Sequence, residues 1–330
     1  MNATAQTNLT CLPSAQAHRL MLSQPGEPLF IAAWLNVLMI HFEVDAAALQ
    51  SDVPFELDLW KGRAFVSLVA FTICDMRPRF GGKWAALLFR PIATHHFLNV
   101  RTYVRHCDEC GIHFLAEWLT NRLSVMLGPT TFGLPYRYGR ISYRRDLEDG
   151  GFSGRVTDAK SRAALSFEAW LGSPFQSGEH CNRRTLPHGP LPSTLRSITT
   201  PRLSKGQATY VTLEENVKSG ATEDGQGEGE SSSDEWLRRT TTRFVDFRPC
   251  TAGSLDEWLM ERYIAFNSAK GNRRFFRVWH PPWPQRPAEA VVGEKSLLTT
   301  NWQWFNEARM VGANSSLGFD EVWMGRPNQL

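Results

Sequence analysis

The stretch FLNVRTYVRHCDECGIHFLAEW, residues 97–118, decides how the rest of the chain is interpreted. Its first part alternates in the manner of a β-strand, which gives two distinct faces. One face carries Val100, Thr102 and Val104, and the other carries Asn99, Arg101 and Tyr103. A second strand candidate, 111–118, follows the five-residue polar connection HCDEC, which is closed by Gly111. The arrangement predicts a β-hairpin.

The tip of this hairpin also contains a C-x-x-C spacing, formed by Cys107 and Cys110. A zinc site needs four ligands, and the only other neighbouring His–Cys pair, 180–181, has no matching spacing. A thioredoxin-like redox pair normally lies at a helix N-terminus, not at a hairpin tip. We therefore interpret HCDEC as a solvent-facing turn and expect no metal site there.

Composition narrows the classes of function. The chain has 330 residues, 42% of them hydrophobic, and 12 tryptophans, which are enough to fill a substantial core. Thirty-six basic and 33 acidic residues leave a formal net charge of +3, so we expect no nucleic-acid partner. Six scattered cysteines are typical of reduced thiols in the cytoplasm. The longest apolar run, 29–40, is too short to cross a bilayer, and no secretory signal is visible, so we expect no membrane partner.

Changes of composition along the chain predict its organisation. Residues 1–25 show no sustained period and are expected to form a flexible leader. A single domain is expected over 26–295, followed by a C-terminal tail over 296–330. Residues 214–235 are acidic, rich in Gly and Ser and nearly free of apolar residues, which predicts a disordered insertion within that domain.

Short local patterns predict further elements. Asp45 is a candidate N-cap for a short helix, and Ser254 with Glu257 has the spacing of a capping box. The Val- and Phe-rich run 62–74 predicts a strand with a buried face. The run 29–44 is apolar on both sides, so its period does not distinguish a strand from a buried helix.

Three segments, taken in order, carry a family resemblance: FLNVRTYVR, FGLPYR and ERYIAFN followed by FRVWHPPWPQRPAEA. Together they resemble the YqjF-like family of uncharacterised bacterial proteins, over about residues 29–292. That family is similar in fold to acetoacetate decarboxylase. The resemblance implies a mainly β (α+β) protein, a closed cone-shaped β-barrel with a few flanking helices and an internal pocket.

The resemblance does not carry the decarboxylase reaction with it. That enzyme forms a Schiff base through a lysine whose pKa is lowered by burial and by a neighbouring cation. The seven lysines of this chain are scattered and no two are adjacent. Lys61 precedes a glycine in a turn and Lys83 lies in a Gly-rich loop, so neither has an apolar strand around it. We expect no Schiff-base lysine.

Polar residues on strand faces are the remaining candidates for a site. Asn99, Arg101 and Tyr103 share one face, and Glu117 follows an apolar run in the second strand. If Arg101 and Glu117 both point inward, they could pair across the hairpin, either to fix its register or to act as an acid–base pair. Tyr136 in FGLPYR is expected either to line the mouth of the pocket or simply to pack.

Histidines provide the other candidates. His280 is held by the prolines that follow it and could act near neutral pH, or could be a packed residue that closes the barrel. His41, His95 and His96 could form a second cluster, although such a pattern is weak evidence for a metal.

Two hypotheses of function follow. In the first, the pocket binds a small organic anion, with Arg101 as the charged anchor and Asn99, Tyr103 and Tyr136 as further ligand-binding residues. In the second, the protein is a lyase or hydrolase that uses Glu117 and His280 in the same pocket. Neither requires a cofactor. The sequence does not indicate the oligomeric state.

Overall fold

The computed structural model of the chain describes residues 11–146, 150–171, 247–269 and 271–330. The acidic segment 214–235, predicted to be disordered, lies outside the described residues.

The described residues form one sheet of thirteen strands. The strands β1 to β13 are Phe30–Val44, Glu56–Leu57, Ala64–Pro78, His95–His106, Glu109–Leu119, Tyr136–Arg145, Gly151–Asp158, Ala164–Leu171, Ile264–Ala269, Asn272–Trp279, Gln285–Val292, Arg309–Met324 and Asn328–Gln329. The helices α1 to α6 are Ser14–Leu22, Ala46–Asp52, Gly82–Phe89, Arg122–Thr131, Leu255–Met260 and Ser296–Thr299, with 3₁₀ turns at Arg90–Ile92 and Gln303–Glu307. None of these helices combines the length and the apolar character needed to cross a membrane. The predicted mainly β fold is confirmed.

The sheet closes on itself. Nine strands form a ring in the order β4, β3, β1, β12, β11, β8, β7, β6, β5, and β5 pairs with β4 to close it. β5 and β12 are also connected through two further strands: β5 pairs with β9, β9 with β10, and β10 with β12. Five long strands (β1, β3, β4, β5 and β12) therefore have a packed interior on each face. Along β3, Leu68 belongs to one core cluster, whereas Val69 and Phe71 belong to the other.

This double burial explains why the period of β1 did not distinguish a strand from a helix. A strand buried on both faces is apolar at consecutive positions, as a buried helix can be. Val37 and Met39 lie in the core cluster that contains Phe71, and Leu38 and Ile40 lie in the other.

The hairpin predicted from residues 97–118 is β4 and β5, joined by a turn of two residues, Cys107 and Asp108. Cys107 adopts a φ of 51°, a left-handed conformation. The turn is tighter than the predicted five-residue connection because strand pairing continues to His106 and Glu109. Cys107 is exposed as expected, but Cys110 lies within β5 and is buried, so the prediction of a solvent-facing C-x-x-C is wrong for that residue.

The register of the hairpin corrects one predicted pairing. Asn99, and not Arg101, lies opposite Glu117, and Arg101 lies opposite Phe114. The register shifts between Val100 and Arg101, which offsets the two strands by one residue. A shift of this kind cannot be read from alternation alone, because both strands keep their period on either side of it.

Both ends of the chain differ from the sequence prediction. The expected leader contains α1, which buries Ala17 and Met21. Ser14 at the start of this helix accepts a hydrogen bond from Trp279 Nε1 at 3.2 Å through its carbonyl oxygen. The expected tail, 296–330, contains β12, which pairs with β1 on one side and with β10 and β11 on the other.

The predicted helix starts are confirmed. Asp45 Oδ1 accepts a hydrogen bond from Ala48 N at 2.7 Å, and Ser254 Oγ accepts one from Glu257 N at 3.1 Å. The helix capped by Ser254, α5, ends at Met260, and the residues that follow lead into β9.

Candidate functional site

A cavity of about 420 Å³ is lined by residues of β1, β3, β4, β5, β9 and β10. Most of its wall is apolar and comes from the inner faces of β1, β3, β4 and β5 together with α4, as in Val37, Met39, Val69, Phe71, Phe97 and Phe114. Five of the six residues proposed from the sequence line it: Asn99, Arg101, Glu117, Tyr136 and His280. The fold therefore brings together side chains from β4, β5, β6 and the end of β10.

Arg101 carries a positive charge that its surroundings compensate poorly. Its side chain is 6% exposed, and its Nη2 donates to Leu259 O at 3.1 Å and contacts Met39 Sδ at 3.6 Å. Its Nε has no hydrogen-bond partner. Burial lowers the pKa of Arg101, yet a guanidinium remains protonated in proteins. Arg101 is thus a buried cation on a cavity wall.

No carboxylate in the described part of the chain forms an ion pair with Arg101. Glu261 is the carboxyl whose charge acts on Arg101. It accepts a hydrogen bond from Trp283 N at 2.7 Å and another from the Tyr263 hydroxyl. Burial raises the pKa of Glu261, which weakens it further as a counter-ion. A buried guanidinium without an ion-pair partner costs free energy unless a ligand supplies the charge.

Tyr103, the sixth residue proposed from the sequence, lies beside Arg101 but not on the cavity wall. Its hydroxyl donates to Leu259 O at 3.0 Å and lies 2.5 Å from Ser67 Oγ. Because the same carbonyl also accepts from Arg101, Tyr103 and Arg101 are tied to the end of α5 together. Tyr103 therefore helps to fix the position of Arg101 and does not itself line the cavity.

Glu117 and Asn99 form the second polar part of the cavity. They are cross-strand neighbours, and Glu117 Oε2 and Asn99 Oδ1 are buried without hydrogen-bond partners. Burial raises the pKa of Glu117 well above its usual range, which favours the neutral, protonated form of this carboxyl. The two charged residues proposed from the sequence therefore differ: Arg101 stays protonated, whereas burial favours the neutral form of Glu117.

Tyr136 closes the wall beside Glu117, its partner in the parallel pairing of β5 and β6. Burial raises the pKa of Tyr136, and the charge of Glu117 would raise it further. The ring packs against Gly128 of α4 so closely that a Cβ there would lie 2.2 Å from a ring carbon. The glycine is what allows α4 to approach the cavity.

His280 lines the cavity but is packed among aromatic rings. Its ring centroid lies 4.8 Å from Tyr263, 4.9 Å from Trp283 and 5.3 Å from Phe319. Its Nδ1 donates to Pro281 O at 2.7 Å. Burial lowers the pKa of His280 to about 4, so the imidazole is neutral at physiological pH and a weak base. Both features favour the structural alternative that the sequence left open for this residue.

The proposed histidine cluster is divided by the fold. His95 lines the cavity with neither ring nitrogen hydrogen-bonded, and burial lowers its pKa to about 4. His41 contacts Ser67 Oγ at 2.7 Å and Asn314 Oδ1 at 3.0 Å. His41 and His95 belong to separate networks, and among the described residues they do not meet in a metal-ligating group.

Sequence reasoning missed three donors on the cavity wall: Trp34, Arg262 and Trp283. The indole Nε1 of each tryptophan and the Nη2 of Arg262 are buried without partners. The sequence did indicate Arg262, which lies between the apolar residues LM and the segment YIAF in LMERYIAF. No comparable signal existed for the tryptophans, since twelve are present and nothing in the sequence sets Trp34 and Trp283 apart from the others.

The described lysines do not contribute to this wall. Lys61, Lys83, Lys160 and Lys295 are absent from the lining of the cavity, and Lys83 lies exposed on α3. Within the described ranges, the cavity thus presents no amine for a Schiff base.

The fold and the cavity define a class of protein. An acetoacetate decarboxylase-like enzyme from Sphingomonas wittichii RW1 aligns with 92% of this chain and 94% of its own, at a TM-score of 0.51 and 12% identity. The enduracididine biosynthesis enzyme MppR, solved in complex with pyruvate, aligns with 92% of this chain and 90% of its own, at a TM-score of 0.51 and 10% identity. At these identities the likeness shows the fold alone. The chain has the acetoacetate decarboxylase-like fold.

Within that class the sequence specifies a family. The profile of the DUF2071 family, described as "Uncharacterized conserved protein", matches residues 31–189 and 201–307, and the chain belongs to this family. The uncharacterized protein YqjF of Bacillus subtilis (strain 168) is 36% identical over 145 residues. The aligned region is 43% of this chain and 57% of YqjF, little more than half of that relative. The resemblance inferred from the three motifs is confirmed.

Proposed function

We propose that this protein binds a small organic anion in the cavity and that Arg101 is the anchor for the anionic group. The observation that carries the proposal is the buried, charged guanidinium of Arg101, which has no carboxylate partner among the described residues. An anion that entered the cavity would supply the missing charge, and such charge-assisted contacts are strong in a buried site.

The unpartnered polar atoms on the wall favour the same conclusion. Four N–H groups lack an acceptor: Arg101 Nε, Arg262 Nη2, Trp34 Nε1 and Trp283 Nε1. Burial raises the pKa of Glu117, the carboxyl on the same wall, which favours its neutral form. The cavity is therefore rich in donors and poor in negative charge, which suits a carboxylate.

The shape and chemistry of the wall limit the rest of the ligand. A volume of about 420 Å³ falls in the range of ordinary small-molecule sites. Most lining residues are aliphatic or aromatic, so the body of the ligand is expected to be apolar. The fold neighbour MppR is solved with pyruvate, itself a small organic anion, which is consistent with this class of ligand.

A thermal-shift screen of carboxylic acids, each paired with its uncharged amide, tests the proposal. A ligand that binds the folded state raises the melting temperature (Tm). We expect acids with an apolar body to raise the Tm and their amides to raise it much less. If no acid raises the Tm more than its amide at millimolar concentration, the proposal is wrong.

A second candidate function is catalysis by Glu117 as a general acid, in a lyase or hydrolase without a Schiff base. The observation that favours it is the raised pKa of Glu117 on the wall of the cavity, because a neutral carboxyl can donate a proton to a bound substrate. His280 would contribute by contact more than as a base, since its pKa is lowered to about 4. Turnover of a ligand identified in the screen, lost in Glu117→Gln with binding retained, would establish this role.

A further inference from the structure

A second group of reactive side chains shares Arg262 with the anion-binding cavity and lies where the segment before α1 meets the hairpin. The Sγ atoms of Cys11 and Cys110 and a carboxylate oxygen of Asp58 lie within 4.8 Å of one another. Arg262 Nη1 donates to Cys11 Sγ at 2.9 Å and to Asp58 Oδ2 at 2.8 Å. Arg105 Nη2 donates to Asp58 Oδ1 at 2.8 Å.

The partners of Asp58 make this group unsuitable for a metal ion. Each oxygen of the carboxylate is held by a guanidinium, one from Arg105 and one from Arg262. Only two thiols remain as ligands, and zinc sites in proteins need three or four. Two adjacent positive charges also disfavour a cation.

The balance of charge predicts the state of Cys11 instead. Two guanidinium groups and one carboxylate leave one positive charge uncompensated, and the side chain of Arg262 is fully buried. A thiolate at Cys11 would supply the missing negative charge at 2.9 Å from Arg262. The pKa of Cys11 is lowered to about 7, first by the hydrogen bond with the Cys110 thiol and also by the charge of Arg262. The pKa of Cys110 is raised, so it remains the protonated donor.

A small reagent has space to reach this pair. A cavity of about 140 Å³ adjoins it. Its wall consists of Cys11, Leu12, Leu20, Asp108, Glu109, Cys110, Tyr263 and Ile264. Of the two acids, Glu109 is paired with Arg277 at 2.7 Å. Cys11 is partly exposed and Cys110 is buried behind it. A partly exposed thiol that contacts a guanidinium and lies beside a second thiol is the usual arrangement of a cysteine that reacts with peroxides.

We propose that Cys11 is a nucleophile toward hydrogen peroxide or small hydroperoxides and that Cys110 is the thiol that resolves the product. The Cys11 thiolate attacks one oxygen of the peroxide, the O–O bond breaks, and hydroxide or alkoxide leaves, which gives a sulfenic acid on Cys11. The Cys110 sulfur then attacks the Cys11 sulfur. Its proton leaves with the hydroxyl group as water, and a Cys11–Cys110 disulfide forms. The peroxide is the oxidant and is reduced by two electrons.

Peptide mapping of the full chain under non-reducing conditions tests the proposal. After equimolar hydrogen peroxide, we expect one disulfide, between the peptides of Cys11 and Cys110. In Cys110→Ser, dimedone should label Cys11 as the trapped sulfenic acid. With iodoacetamide at pH 7, Cys11 should react about tenfold faster than an ordinary thiol, because about half of it is thiolate whereas only a few per cent of a free cysteine is.

Cys107 provides the matched control, since it lies in the same hairpin and is more exposed than Cys110. Cys107→Ser should leave the disulfide and the rate at Cys11 unchanged. Oxidation that begins at Cys107, a disulfide to any other cysteine, or stoichiometric zinc in the reduced protein that is lost in Cys11→Ser would each overturn the proposal. If Cys110→Ser does not fold, the peptide map of the wild-type chain still decides.

Discussion

Glu117 links the state of one residue to the stability of the whole fold. An unfolded glutamate ionises near pH 4.3, whereas burial raises the pKa of Glu117 in the folded chain well above that value. Above the unfolded pKa, the folded chain therefore retains a proton that the unfolded chain releases. The contribution of Glu117 to stability is most favourable below that pKa and falls as the pH rises toward the folded pKa.

We accordingly expect Glu117→Gln to raise the Tm by a few degrees at pH 8 and to leave it nearly unchanged at pH 4. Differential scanning calorimetry across this pH range measures the effect. Glu168→Gln, an exposed change on β8, is the control and should not raise the Tm at either pH. A Tm of Glu117→Gln at or below that of the wild type at pH 8 would contradict a raised pKa for Glu117.

Residue-scale prediction succeeded where a strand period fixed the direction of a side chain. Asn99 and Arg101 alternate with apolar neighbours on β4, so their common face could be read directly. The pairing partner of Glu117 could not be read, because the register shift between Val100 and Arg101 leaves no mark on either period. His95 lies on the same strand at the same alternate positions, so the period could have placed it on the cavity wall as well. Arg262, Trp34 and Trp283 reach the cavity from elements whose relative positions only the folded chain defines.

At the scale of elements, the approach of α4 to β6 shapes the cavity. Gly128→Ala would place a Cβ 2.2 Å from a carbon of the Tyr136 ring. Phe97 of β4 packs edge-on against that ring, at a centroid distance of 5.7 Å, and limits its movement. We expect a loss of about 1–3 kcal/mol in the free energy of unfolding, as for overpacked cores, measured by urea titration. Gly312→Ala on β12, where nothing lies within 4 Å of the new Cβ, is the control. Equal stability of the two variants would argue against this close contact.

The sequence did not predict that β12 is a strand of the sheet. Its buried centre carries Asn314, Ser315 and Ser316, and the run contains Gly312 and Gly318, a composition more typical of a loop. The polar groups are tolerated because they are hydrogen-bonded: Asn314 Nδ2 donates to Gln285 Oε1 at 2.7 Å. Patterns based on apolar alternation miss such a strand.

Deletion of residues 309–330 should therefore prevent folding, since it removes the partner of β1, β10 and β11 at once. Deletion of 328–330 alone removes only the short pairing of β13 with β10 and should leave a folded protein. Circular dichroism and size-exclusion chromatography distinguish the outcomes. A folded, cooperative 1–308 fragment would contradict the placement of β12 within the closed sheet.

At the scale of the whole molecule, strands from the two ends of the sequence are interleaved. β9 pairs with β5, and β11 pairs with β8, so pairing joins the parts of the chain on either side of residues 172–246. The composition of 214–235 predicts a site of proteolysis. After limited proteolysis there, we expect two fragments that co-elute in size-exclusion chromatography and separate only in denaturant. Fragments that separate under native conditions would contradict a single interleaved domain.

Isothermal titration calorimetry measures whether Arg101 binds the carboxylate of a ligand. The best acid from the thermal-shift screen and its amide are titrated into the wild type, into Arg101→Met and into Arg155→Met. Arg155 is a control because it is an exposed arginine of β7 that does not line the cavity.

We expect the acid to bind about 30-fold or more weakly to Arg101→Met than to the wild type, as for other buried charge pairs that lose one partner. The weak binding of the amide should change little, and Arg155→Met should behave as the wild type does. Equal affinity of the acid for the wild type and for a folded Arg101→Met would contradict the claim that Arg101 anchors the ligand.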